Sequence, residues 1–142
     1  MHKFIIIPLV FLLSGCWHAN DPKPLIVNGD ISMSAGKLCV KTPDASDDEY
    51  ITYINVFDFK EQKTIADMDF SANPVKLDEK NCLPSPDIQY QVNGKYAYTA
   101  STVLQKKQAK KINPHRRSIG VTFFIKDIDG KMEAVSSVKR RQ

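Results

Sequence analysis

The sequence predicts an all-β fold, a small single-domain sandwich of about seven or eight antiparallel strands, Ig-like or similar. Three observations lead there. From Asp30 onward the apolar residues recur with a period of two, most clearly at Ile119, Val121, Phe123 and Ile125. Turn-forming pairs, Ala35-Gly36, Asn93-Gly94 and Asp129-Gly130, punctuate those runs. The chain has 142 residues, 42% of them hydrophobic and 25% charged, which suits one core and excludes collagen-like, disordered and multi-span membrane classes.

The first element is a leader. His2 and Lys3 precede an apolar run from Phe4 to Leu13, too short for a hydrocarbon core that needs about 20 residues. Residues 1–15 therefore read as a secretory signal outside the fold. Residues 16–28, with Pro22 and Pro24 and few apolar side chains before Leu25, read as an extended tether, and residues 29–142 as the folded domain.

Within the domain, Asp30 to Ser34 and Lys37 to Lys41 flank a turn at Ala35-Gly36 and form a hairpin. Tyr50 to Phe59 carries aromatic and β-branched residues on both parities, as a central strand does. Thr64 to Phe70 alternates apolar residues with Asp67 and Asp69, a strand with one wet face. Ile88 to Val92 and Lys95 to Gln105 are expected to pair through a type I′ turn at Asn93-Gly94. Gln105 to Pro114 is the single helical candidate. Arg117 to Lys126 turns through Asp129-Gly130 into Lys131 to Val138.

Leu13-Ser14-Gly15-Cys16 resembles the lipobox of bacterial lipoproteins. That resemblance implies acylation of Cys16 and removal of the residues before it. Lipidation leaves Cys39 and Cys82 as an even pair in an oxidising compartment, so one disulfide is expected between them. Two or three acyl chains give stable attachment where one does not. Trp17 and His18 follow the cysteine where inner-membrane lipoproteins usually carry Asp, which favours the outer membrane, with the domain facing the periplasm.

The inventory for chemistry is sparse. His2, His18 and His115 are the three histidines, and they share no metal-ligand spacing. Asp127, Asp129 and Gly130 read as a hairpin turn and not a calcium loop, while Asp67 and Asp69 read as a solvated strand face. The expectation is a protein that is not an enzyme, with no catalytic residue, metal, cofactor or small-molecule substrate.

Charge, in contrast, is segregated: residues 16–94 balance at −6 and residues 95–142 at +9. Asp44, Asp47, Asp48 and Glu49 crowd one predicted loop. Lys106, Lys107, Lys110, Lys111, Arg116 and Arg117 crowd another, and Lys139, Arg140 and Arg141 follow near the end. These two loops are the candidate partner-binding sites, for a protein of matching potential or for anionic headgroups. The periplasmic address argues against nucleic acid as the partner.

The mature chain resembles a family of small enterobacterial periplasmic lipoproteins described as immunity proteins of type VI secretion. The residues carrying the likeness are the lipobox ending in Cys16, the hairpin Gly29-Asp30-Ile31-Ser32-Met33-Ser34-Ala35-Gly36-Lys37-Leu38-Cys39-Val40, and Asn81-Cys82-Leu83-Pro84. Gly94-Lys95-Tyr96 and the strand Ile119 to Ile125 followed by Asp129-Gly130-Lys131 complete it. The resemblance implies protective binding of a toxin effector by occlusion. A structural accessory lipoprotein of an envelope machine and a lysozyme inhibitor are the alternatives that the same scaffold would suit.

Overall fold

A computed structural model describes Leu25 to Val138. The expected signal peptide, Cys16, and Lys139 to Arg141 lie outside the described residues. Nine strands and one short helix follow in chain order: β1 (Leu25–Asn28), β2 (Asp30–Ser34), β3 (Lys37–Lys41), β4 (Glu49–Asp58), β5 (Lys63–Asp69), β6 (Val75–Lys76), β7 (Lys95–Leu104), α1 (Gln105–Ala109), β8 (Arg116–Ile128) and β9 (Lys131–Ser136). The fold is all-β, in two sheets.

The larger sheet runs β1-β8-β7-β4-β5, with β9 sharing the β8 edge and β6 sharing the β4 edge. β8 is long enough, at 13 residues, to hold β1 in parallel along its first half and β9 antiparallel along its second. One face of this sheet is apolar because the period-two pattern puts Ile54 and Val56, then Tyr96, Tyr98 and Ala100, then Ile119, Val121, Phe123 and Ile125 on the same side, and a register shift between Ile51 and Tyr53 brings Ile51 to it as well, all buried. The smaller sheet, the β2–β3 hairpin, contributes Leu38 and Val40 to that core, and Leu77, Leu83 and Tyr90 from the long connection before β7 join them. The sandwich is thus uneven, with one broad sheet capped by a hairpin and an irregular segment.

Cys39 and Cys82 form a disulfide with α-carbons 5.1 Å apart. It fastens the hairpin to the irregular segment beside the hydrogen bond from the Leu83 amide to the Val40 carbonyl, 2.7 Å. Closing a loop of this length stabilises the fold by about 4 kcal/mol in the chain-entropy picture.

Four expectations change. The predicted tether ends earlier, since Leu25 to Asn28 pair with Arg117 to Gly120 as β1. Ile88 to Val92 is not a strand, and Asn93-Gly94 is not a two-residue type I′ turn: Asn93 has positive φ (67°) and Gly94 does not. The reason is tertiary, because the Asn93 amide donates to the Ile125 carbonyl and the Ile125 amide donates to the Gly94 carbonyl, so β8 takes the groups a hairpin would need. The helical candidate contracts to the five residues of α1. In β5, Ile65 packs on the core along with Met68, since a bulge opposite Val56 and Phe57 shifts the register. The other two turns form as expected, Ala35 (50°) with Gly36 (74°) and Asp129 (53°) with Gly130 (78°) all at positive φ.

Candidate functional site

The two charged segments, far apart in sequence, meet at one end of the large sheet. Glu49 opens β4 on the parity of Ile51, and Arg117 lies near the start of β8 on the parity of Ile119. Glu49 is 1% exposed. The Arg117 guanidinium donates from Nε to Glu49 Oε1 and from Nη2 to Oε2 at 2.8 Å, and reaches Asp44 Oδ1 from Nη1 at 2.7 Å. The Thr102 hydroxyl, on the strand between them, donates to Glu49 Oε1, and the Ser46 amide donates to Oε2 at 3.3 Å. Burial opposes charge on Arg117, but the bonds to Glu49 and Asp44 outweigh it and hold the guanidinium above its ordinary value.

Each Glu49 oxygen is therefore occupied by a donor, and the cluster is a clasp that joins β4, β7, β8 and the acidic loop. Glu49 and Arg117 belong to this clasp, which takes both out of the two expected partner-binding loops. Asp44 is exposed on its rim and tied to the same arginine. The Asp48 carbonyl and carboxylate receive the Gln105 and Lys106 amides, both at 3.1 Å, so the acidic loop props the first turn of α1. Asp47 is exposed.

The larger exposed group at this end is cationic. Lys106, Lys107, Lys110, Lys111 and Arg116 are exposed, and among the described residues none of them pairs with a carboxylate. Ile112 stands 47% exposed beside them.

The opposite end has a different surface. On the uncovered face of the large sheet, Phe57 and Phe59 make an edge-to-face pair with centroids 5.3 Å apart. Lys95 Nζ lies 4.6 Å from the Phe59 ring centre and 5.6 Å from that of Phe124. All three rings are half-buried, with no second sheet over them. Sequence reasoning did not single out this patch, although the signal was present: Phe57 and Phe124 have the opposite parity to buried Val56, Phe123 and Ile125. On the covered side a cleft of about 310 Å³ runs between Lys37-Leu38 and the stretch Ser85 to Tyr90.

The acidic pair on β5 is engaged locally. Tyr53 donates to Asp67 at 2.9 Å, a bond that raises the Tyr53 pKa, and the Ser71 hydroxyl and amide hold Asp69 below its ordinary value. Asp127 accepts the Gly130 amide at 2.9 Å and closes its turn. Among the described residues no group of three or more His, Cys, Asp or Glu is placed to hold a metal ion, and no helix is long and apolar enough to cross a membrane.

A family profile, a domain of unknown function designated DUF7480, matches residues 27–128. The chain belongs to this family. The matched span runs from within β1 to the end of β8, so it includes the clasp, the basic loop and the aromatic patch. No curated protein and no solved structure is significantly similar to the chain.

Proposed function

We propose that this protein is a periplasm-facing lipoprotein, held at the outer membrane through Cys16, that binds a toxin effector and neutralises it by occlusion. The resemblance to type VI immunity lipoproteins supports the reading from sequence. The observation that carries it is the patch of Phe57, Phe59 and Phe124 around Lys95 on the uncovered sheet face. Aromatic side chains on a rigid surface supply large contact area at low entropic cost, and such residues form the centres of tight interfaces. Lys95, already positioned over the rings, offers a cation to a carboxylate of the partner once water is excluded. β4, β7 and β8 fix this surface in advance, so little ordering remains to be done on binding.

The test uses the chain from Cys16 onward with Cys16→Ser as bait in lysates of related strains armed with type VI secretion. The expected result is one tight partner that kills when sent to the periplasm alone and is harmless when this protein is co-expressed. Phe57→Ala and Phe124→Ala are expected to weaken that capture by at least about tenfold each. Recovery of envelope-machine components only, with no toxin suppressed, overturns the proposal in favour of an accessory role.

A further inference from the structure

We infer that the basic loop between β7 and β8 is a membrane-facing surface that docks on anionic phospholipid headgroups and sets the orientation of the domain. The inference rests on the lipid-anchor part of the proposed function. The placement of the first described residue motivates it: Leu25 pairs with Arg117, so the chain enters the sheet at the end where the basic loop lies. The nine peptide steps from Cys16 to Leu25 span at most about 32 Å. β8 alone, at 13 residues, extends about 43 Å. A domain tethered at this end keeps Lys106, Lys107, Lys110, Lys111 and Arg116 within reach of the bilayer, while the far end of β8 lies further from Leu25 than the tether extends.

The chemistry of the loop fits that position. Arg117 offsets one of the four acidic charges nearby, and Asp48 keeps its charge while it accepts an amide of α1, so the five cations of the loop outnumber the three carboxylate charges left beside them. Asp47 is exposed and, among the described residues, makes no ion pair. Ile112, exposed within the lysine cluster, adds an apolar side chain at the depth where headgroups meet acyl chains. The same geometry directs Phe57, Phe59 and Phe124 away from the bilayer, since they lie toward the far end of the sheet. A surface potential attracts each nearby cation by an amount equal to about a fivefold gain in partitioning.

The test omits the anchor, so that only the surface is measured. The chain from Cys16 onward with Cys16→Ser is floated with vesicles of phosphatidylcholine, alone or with phosphatidylglycerol as a third of the lipid. Binding is expected only with phosphatidylglycerol and is expected to disappear at high salt. Lys107→Gln and Lys110→Gln should each lower partitioning about fivefold. Lys60→Gln and Lys131→Gln, exposed at the other end, should leave it unchanged. Absence of binding at low salt, binding to phosphatidylcholine alone, or an equal loss in the Lys60 and Lys131 variants overturns the inference. Failure of the toxin reading appears elsewhere, as a chain that docks on vesicles but suppresses no toxin. Failure of the anchor appears as a Cys16 that takes up no labelled palmitate in cells.

Discussion

Glu49 and Arg117 show how two residues read as members of separate charged loops can turn out to be one buried pair. Two opposite charges on the core-facing register of neighbouring segments are expensive to bury unless they meet, and here they meet with both carboxylate oxygens bonded. Arg117→Met leaves the buried Glu49 charge stranded and should cost about 3–5 kcal/mol by urea unfolding, whereas Glu49→Gln leaves Arg117 bonded to Asp44 and should cost less. The double variant Glu49→Leu with Arg117→Met should recover much of that loss, and a double variant as unstable as the sum of the two singles would refute the clasp. A second prediction concerns Tyr90, 6% exposed, whose phenol burial pushes from 10.0 up to about 12. The unfolded chain loses that proton first. Stability contributed by the neutral phenol is thus complete below pH 10.0 and declines as pH rises toward about 12. Tyr90→Phe should flatten the alkaline limb of a stability-versus-pH curve, and an unchanged limb would shift the cause to the other tyrosines.

At the scale of elements, two glycines serve purposes that sequence patterns do not separate. Gly29 turns the chain from β1 into β2 where an added β-carbon would stand 3.0 Å from Val40 Cγ1 and 3.3 Å from Ile119 Cγ2. Both neighbours are fully buried, so Gly29→Ala should destabilise by about 1–3 kcal/mol in thermal unfolding. Gly94 matters for packing and not for positive φ: the Tyr96 ring covers its α-carbon, with ring atoms 2.6 Å from where a β-carbon would stand. An Asn-Gly pair announces a hairpin in sequence, but the Ile125 backbone captured both residues. The disulfide acts between elements as well. Cys39→Ser and Cys82→Ser should each lower stability by about 4 kcal/mol and by equal amounts, and a large difference between them would mean that one has a second role.

For the molecule as a whole, polarity along the sheet is the organising feature. The chain enters beside the basic loop, and the aromatic patch lies at the other end on the uncovered face. On the proposed reading, anchor and recognition surface then act together without competing for space. Cys16→Ala should move the protein from the membrane to the soluble periplasmic fraction while its urea midpoint stays the same, because no described contact depends on the lipid. Retention in the membrane would refute the anchor.

Much of this architecture was legible in the alternation of side chains. The strand pattern, the turns at Ala35-Gly36 and Asp129-Gly130, and, with Cys16 assigned to the lipobox, the pairing of Cys39 with Cys82 follow from local rules, since parity, positive φ and the number of cysteines left over are properties of short segments or simple counts. Which charges would face one another was not local. Glu49 and Arg117 are 68 residues apart in sequence, and only the register of β4, β7 and β8 brings them into contact. The same holds for Lys95 over Phe59 and Phe124, and for Leu25 beside Arg117. Tertiary structure decided these because strand order and register are set by the shared burial of a whole sheet face, a free energy that no single segment carries.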